Sequence, residues 1–213
     1  MSKAAPEAIP RGRRRGFDRQ DAIDTAVDVF WENGYESTSV TQLCAAIGIN
    51  PPSLYAAFGS KAGLFLDVVD HYERTHWDPV WDAFERESLA RVAVRRLLDD
   101  TIEVFTAQEK HRGCLVTLST VNLADRESEV GDALTAIGDD GIRRTKAKLD
   151  FGVRDGQIPP GTDTLALAQA VAMMIDGLAL RAHWGVPADN LRRLAAAVLE
   201  MIPEGGGRRA PAR

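Results

Sequence analysis

The chain has few of the residues that build disulfide frameworks and metal centres. Its 213 residues include two cysteines and four histidines. Cys44 and Cys114 both stand in apolar surroundings, so we expect small buried side chains and neither a disulfide nor a zinc site. His71 and His76 are five residues apart and do not share a helix face, as i, i+4 zinc ligands would. Metal binding is therefore poorly supported, although a metal-sensing variant that uses Asp67, His71 or Cys114 stays open.

Signatures of catalysis and of membrane insertion are also missing from the sequence. No G-x-S-x-G motif, P-loop or paired-cysteine motif occurs, which leaves an all-α enzyme as the weaker alternative function. No apolar run approaches the length of a membrane span, and Met1–Gly16 lacks the apolar segment of a secretory signal. Strand-like alternation of apolar and polar residues appears nowhere. We therefore expect an all-α cytoplasmic protein with no cofactor and no membrane partner.

Basic residues are in deficit over the whole chain but not at its start. The net charge is −5, whereas residues 1–19 carry six basic side chains and two acidic ones. Residues 1–16 show no periodicity and are expected to form a disordered basic arm. Arg13, Arg14 and Arg15 could neutralise phosphates or enter a minor groove, as basic arms do beside major-groove helices. A solvated tail is the alternative interpretation.

The stretch from Thr38 to Phe58 organises the rest of the chain. One apolar helix face is formed by residues at i, i+3, i+4 and i+7, namely Val40, Leu43, Cys44 and Ile47. Gly48 can end this helix in the left-handed conformation. Asn50 can then cap a second short helix, whose first turn tolerates two prolines. This pattern predicts a helix-turn-helix, whose second helix can enter the DNA major groove.

Residues in and around this stretch match a known pattern. They are Gly34-Tyr35, Thr38-Ser39-Val40, Ala46-Ile47-Gly48-Ile49, Ser53-Leu54-Tyr55, Phe58 and Lys61. On these residues, the segment from about Phe17 to Phe65 resembles the N-terminal region of TetR-family transcriptional regulators. The run from Ile49 to Phe58 is similar to a branch that includes ComR-type regulators. A plain helical hairpin within an all-α core is the alternative.

The resemblance implies an organisation and a set of DNA contacts. A helix-turn-helix domain would span residues 17–75, a C-terminal effector-binding and dimerisation domain residues 76–203, and a flexible tail residues 204–213. The implied DNA-contacting residues, besides the arginine arm, are Thr38, Ser39, Gln42, Asn50, Pro51, Pro52, Ser53, Tyr55, Ala56, Ala57 and Lys61.

The chemistry of these residues suggests how DNA would be read. The Tyr55 hydroxyl and Lys61 suit phosphates, and Gln42 could reach an adenine edge. Prolines at 51–52 and alanines at 56–57 replace larger polar residues of the family pattern, so few side chains can make bidentate base contacts. We expect readout to depend on thymine methyl groups, on Gln42 and on the arm.

Helical periodicity continues to the C-terminal end. Expected helices cover Ser88–Gln108, Leu115–Leu123, Ser128–Gly156, Thr164–Trp184 and a last segment after Pro187, with a kink or a close contact at the glycines of 138–141. The Thr164–Trp184 helix is apolar nearly all round, so it needs partners on two sides. The last two helices are expected to form a four-helix dimer interface, with a purely internal core as the alternative.

A switchable regulator also needs an effector pocket. The candidate pocket residues are Trp77, Trp81, Phe84, Phe105, Leu118, Asn122, Met173, Asp176 and Trp184, since aromatic and methionine walls with a few polar groups suit a small apolar molecule. Asp176 could instead pair with Arg181 or with a partner subunit. The expected function is a repressor released from a palindromic operator by a small-molecule effector. An effector-independent architectural DNA-binding protein is the alternative, which the large apolar C-terminal domain disfavours.

Overall fold

The computed structural model describes residues 17–107, 113–126 and 128–206, and all regular secondary structure in these ranges is helical. The helices are α1 (Arg19–Ser37), α2 (Val40–Ile47), α3 (Pro51–Phe58), α4 (Lys61–Tyr72), α5 (Asp78–Arg86), α6 (Ala90–Thr106), α7 (Leu115–Val121), α8 (Glu129–Arg154), α9 (Thr164–His183) and α10 (Ala188–Leu199). The all-α prediction is confirmed. The predicted basic arm with Arg13, Arg14 and Arg15 lies outside the described residues, as do residues 207–213 of the predicted tail.

The first four helices form a small unit around an aromatic core. Phe30 of α1 packs edge-on against Phe65 of α4, with their ring centroids 5.0 Å apart, and Tyr35 lies 4.8 Å from Phe65. Leu43 of α2 and Leu54 of α3 are fully buried beside them. Burial of these apolar side chains fixes how α2 and α3 sit on α1 and α4.

No break in helical structure separates α4 from α5. The chain passes from Tyr72 through a π-helical segment, Glu73–Trp77, directly into α5. Pro79 was expected to interrupt this run, but it lies in the first turn of α5, where a missing N–H is tolerated. Wide turns of this kind insert an extra residue and are frequent at functional sites. The boundary predicted between residues 75 and 76 falls inside this segment.

The remaining helices pack around α6 and α9. Val94, Leu97, Leu98, Ile102 and Phe105 of α6 are fully buried, as the sequence stripe predicts. The long α8 runs beside α9, and α10 packs against α6 and α9. A Cβ on Gly141 of α8 would lie 3.4 Å from the Trp81 ring, so the predicted close contact is present there. Because α1 and α4 also touch α7, the first four helices rest directly on the remainder of the chain.

Helix α9 contradicts one expectation from the sequence. It has 20 residues, and its most apolar 18-residue window has a mean hydropathy of 1.5, so by length and composition it could span a membrane. The statement that no apolar run approaches this length is therefore wrong. Only 28% of that window is buried within the chain. Its outward face is apolar, with Met173 66% and Trp184 71% exposed.

Candidate DNA-binding surface and ligand cavity

The start of α2 is fixed by a reciprocal cap. The Gln42 backbone N–H donates to the Ser39 hydroxyl oxygen at 3.2 Å, and the Ser39 backbone N–H donates to Gln42 Oε1 at 2.8 Å. This capping box satisfies two otherwise unpaired donors at the helix start. The S-x-x-Q spacing of residues 39–42 could have predicted it. Gln42 Oε1 is occupied by the cap, which leaves its exposed amide group as the donor for a DNA contact.

The turn between α2 and α3 has the geometry that the sequence predicts. Gly48 takes φ 78° and ψ 27° in the left-handed region, and its N–H donates to the Cys44 carbonyl oxygen at 3.0 Å. Asn50 then caps α3, because its side-chain oxygen accepts from the Ser53 N–H at 2.9 Å. The two caps hold both short helices at defined ends. The direction of α3 therefore follows from α2.

Helix α3 presents a short outer face. Its inner residues Leu54 and Phe58 are buried, whereas Tyr55 is 49% exposed. The other outer positions belong to Pro51, Pro52 and Ala56, with Ser53 partly exposed. The hydroxyl groups of Ser53 and Tyr55 are the polar side-chain groups available between residues 51 and 58. The predicted contact residues of α3 are thus on the accessible side.

Two predicted DNA-contacting side chains point inward. Thr38 is 1% exposed, and its hydroxyl donates to the Gly34 carbonyl oxygen at 2.6 Å. Lys61 Nζ donates to the carbonyl oxygens of Tyr35 at 2.9 Å and Thr38 at 3.1 Å. The same ammonium group lies 4.2 Å from the Tyr35 ring centroid. The connection between α1 and α2 leaves carbonyl groups without helical partners, and Lys61 satisfies two of them. In this conformation, both side chains stabilise the fold and do not reach toward DNA.

A cavity of about 170 Å³ lies between the π-helical segment, α5, α7, α8 and α9. Its walls are mainly apolar, and the stacked indole rings of Trp77 and Trp81 are 6.1 Å apart. The lining residues are Glu73, Trp77, Trp81, Cys114, Val116, Thr117, Ile137, Gly138, Gly141, Ile142, Thr145, Ala172, Ile175 and Asp176. Trp77, Trp81 and Asp176 were predicted from the sequence.

The other six predicted pocket residues lie elsewhere. Phe84 and Phe105 are fully buried in the core. Leu118 does not line the cavity, and the exposed Asn122 donates to the Leu118 carbonyl oxygen at 3.1 Å. Met173 and Trp184 lie on the exposed face of α9. Residue type alone could not separate core, cavity and surface aromatic residues. Glu73 was missed, although it follows Phe65 and Val69 at helical spacing on an apolar face.

The polar groups of the cavity are predominantly acidic. Glu73 Oε1 is buried without a hydrogen-bond partner. Burial, reinforced by the nearby Asp78 carboxylate and opposed by Arg144, raises the pKa of Glu73 to about 7. Burial also raises the pKa of Asp176, against the effect of the Thr117 hydroxyl, which donates to Asp176 Oδ1 at 3.0 Å. None of the described lining residues is a lysine or an arginine.

The residues of the open metal-sensing alternative have other partners. His71 Nε2 lies 3.3 Å from Asp24 Oδ1, and its Nδ1 lies 3.2 Å from Gln20 Nε2. Asp67 pairs with Arg19 at 2.5 Å. Across residues 17–107, 113–126 and 128–206, the structure has no group of three or more His, Cys, Asp or Glu side chains that could hold a metal ion.

Comparison with known proteins gives consistent matches along the chain. Residues 22–68 match the family model for bacterial regulatory proteins of the tetR family. Residues 89–198 match the model for the tetracyclin repressor-like C-terminal domain. The HTH-type transcriptional repressor ComR of Escherichia coli K12 is 30% identical over 195 residues, which cover 91% of this chain and 93% of ComR.

Solved structures agree with these matches. A cysteine-substituted form of the TetR family regulator CifR, complexed with 26 bp double-strand operator DNA, superposes with a TM-score of 0.83. It is 39% identical, and the match covers 90% of this chain and 100% of the CifR chain. A putative TetR regulator from Rhodococcus sp. RHA1 is 37% identical with a TM-score of 0.59, covering 88% of this chain and 100% of that one.

Proposed function

The chain belongs to the TetR family of DNA-binding transcriptional regulators, and from this we propose that it is a repressor that binds a palindromic operator as a homodimer. A small-molecule effector in the cavity would release it. The proposed DNA-binding domain comprises residues 17–75, and the proposed effector and dimerisation domain residues 76–203. This function requires no catalytic step, and we place the protein in the cytoplasm, where operator DNA is accessible.

The observation that carries the proposal is the exposed, doubly capped α3. Its outer face offers the side chains of Pro51, Pro52, Ser53, Tyr55 and Ala56 without protein cover. A short helix held at both ends can enter the major groove. We assign phosphate contacts to Tyr55 and Ser53, thymine-methyl contacts to the prolines and Ala56, and a base-edge contact to the Gln42 amide group. We retain the arginine arm as a proposed phosphate contact.

A second copy of the chain would cover the exposed apolar faces of the last two helices. On α9, Met173, Leu180 and Trp184 follow each other at helical spacing on the outer side, and Leu194 and Met201 extend the apolar surface beyond it. Large exposed apolar patches mark interaction sites. Two such helices from each protomer would form a four-helix interface. A two-fold dimer would present two copies of α3, which calls for a roughly palindromic operator.

The cavity is in a position to couple an effector to DNA binding. Two of its walls, Glu73 and Trp77, belong to the π-helical segment that continues α4. Helix α4 in turn packs against α1 and α3. A ligand that favours one arrangement of this segment would shift the population of DNA-binding conformers by its differential affinity for the two arrangements.

Selection of bound fragments from random duplex DNA tests the proposed function. We expect two inverted half-sites whose centres lie about one helical turn, roughly 34 Å, or a multiple of it, apart. A matched control is the chain with Tyr55→Ala and Ser53→Ala, which should enrich no motif. Enrichment of a single asymmetric site, or of none by the native chain, would contradict the proposal.

A further inference from the structure

We propose that the cavity binds a small organic cation, a protonated amine or a quaternary ammonium compound, with Glu73 as the counter-ion and the Trp77 and Trp81 indole rings as aromatic walls. The inference rests on the proposed function only where it makes this cation the effector. The binding site itself is argued from the cavity.

The Glu73 carboxylate lacks a compensating group within the protein. Its Oε1 atom is buried against the cavity with no hydrogen-bond donor. The nearest opposing charge that acts on it is Arg144. That guanidinium group already pairs with Asp140 through Nε at 2.5 Å and with Glu85 through Nη1 at 2.9 Å. Since an unpaired buried carboxylate is costly, an occupant that supplies positive charge gains more here than an uncharged one.

The aromatic walls favour the same class of ligand. The Trp77 and Trp81 rings are stacked at 6.1 Å with an interplanar angle of 29°. The Arg144 guanidinium lies 5.4 Å from the Trp81 ring centroid, so this indole ring already attracts one cation. Trp faces bind ammonium groups more strongly than other aromatic side chains, and desolvated sites increase the effect. The remaining walls, such as Val116, Ile137 and Ile142, suit the hydrocarbon part of a ligand.

Charges around the cavity exclude an anionic ligand. Asp176 lies at the α9 wall, and the carboxylates of Asp78 and Asp140 also act on Glu73. Arg144 is the opposing charge of this group. A carboxylate or phosphate ligand would meet repulsion, whereas a neutral apolar ligand would leave the Glu73 oxygen buried without a partner.

The volume limits the size of the cation. A cavity of about 170 Å³ is similar to cavities of about 150 Å³ that accommodate benzene. A ligand with one aromatic ring and an ammonium group is therefore near the upper limit of a closed site. Phenyltrimethylammonium is a suitable probe, because its charge does not depend on pH.

The decisive experiment is a calorimetric or ligand-observed NMR titration of the full chain without DNA. We expect phenyltrimethylammonium to bind at least about tenfold more tightly than its uncharged isostere tert-butylbenzene, and benzoate not to bind. Equal or tighter binding of tert-butylbenzene, or no binding of the cation, would overturn the proposal.

Two further measurements assign the counter-ion. Glu73→Gln keeps the shape of the side chain and should weaken cation binding at least about tenfold, whereas the surface control Glu129→Gln should leave it unchanged. In the native chain, the proton competes with the cation for Glu73, so affinity should rise about tenfold between pH 6 and pH 8. The other groups facing Glu73 are Asp78, Asp140, Arg144 and the Cys114 thiol. Cation affinity that is unchanged in Glu73→Gln, with its pH dependence intact, would remove Glu73 from the role. The isostere comparison and the pH profile need no variant, so they decide the question even if Glu73→Gln does not fold.

Operator binding is measured separately, which keeps the two proposals distinguishable. Cation binding with unchanged operator affinity would support the site and contradict its role as the effector site. Palindromic operator binding without any cation affinity would overturn the inference and leave the regulator assignment in place.

Discussion

Single side chains on the DNA-facing side serve the fold before they can serve recognition. Ser39 and Gln42 close a capping box, and Asn50 caps α3. Lys61 spans three elements, because it starts α4 and donates to carbonyl groups at the end of α1 and before α2. Losses of DNA affinity on mutation of such residues therefore mix lost contacts with lost order. Stability and salt dependence have to be measured together to separate the two.

Lys61→Met tests this at one residue. Methionine retains much of the side-chain volume but leaves two carbonyl groups without their charged donor, which should lower the free energy of unfolding by about 2 kcal/mol. Urea unfolding measures the change. The control Lys146→Met removes only an i, i+4 pair with Asp150 at 2.7 Å and should cost about 0.5 kcal/mol or less. A variant of native stability whose operator affinity has a salt slope reduced by about 0.9 would instead assign Lys61 to a phosphate.

At the scale of elements, helix starts and turns follow from local sequence, whereas the cavity does not. The apolar stripes of α2 and α6, the Gly48 turn and the Asn50 cap were all readable, since each depends on neighbours within a few residues. The contribution of Glu73 depends on the π-helical segment, whose extra residue shifts the register of everything that follows. Met173 and Trp184 were placed in the pocket because periodicity cannot tell which side of an all-apolar helix faces its own chain.

The junction of α3 and α4 makes a second prediction. A Cβ on Gly63 would lie 2.1 Å from the Phe58 carbonyl oxygen, so the two helices meet only if this position has no side chain. Gly63→Ala should push α4 away from α3 and destabilise the protein by about 1–3 kcal/mol.

Gly138→Ala in α8 is the matched control for Gly63→Ala. An added Cβ at Gly138 would meet nothing within 4 Å, and alanine favours the helix by about 0.5–1 kcal/mol. Thermal or urea unfolding should thus move in opposite directions for the two variants. Equal shifts would show that the close approach at Gly63 does not control the packing of α3.

For the whole molecule, the proposed dimer gives a purpose to the outer face of α9. An apolar helix that leaves Met173 and Trp184 exposed needs a partner, and a second copy can supply one without a membrane. The distance between the two copies of α3 would then be set by this interface. Operator geometry is accordingly a property of the dimer and not of α3 alone.

Met173→Glu combined with Leu194→Glu tests the interface. Charges on these exposed positions should repel across a two-fold axis and yield a particle with the mass of one 23.2 kDa chain, measured by light scattering. Val121→Glu changes a comparably exposed apolar residue of α7 and should leave the dimer intact. A double variant that remains dimeric would place the interface elsewhere.

The most direct test of the account is the affinity of the full chain for its selected operator with five base pairs inserted at the centre. Five base pairs turn one half-site by half a helical turn, so a dimer that holds two copies of α3 at a fixed distance can engage only one half-site. We predict a loss of affinity of about 100-fold or more at constant salt, compared with a duplex whose central bases are replaced without insertion. Equal affinity for both duplexes would contradict a two-fold dimer reading a palindrome.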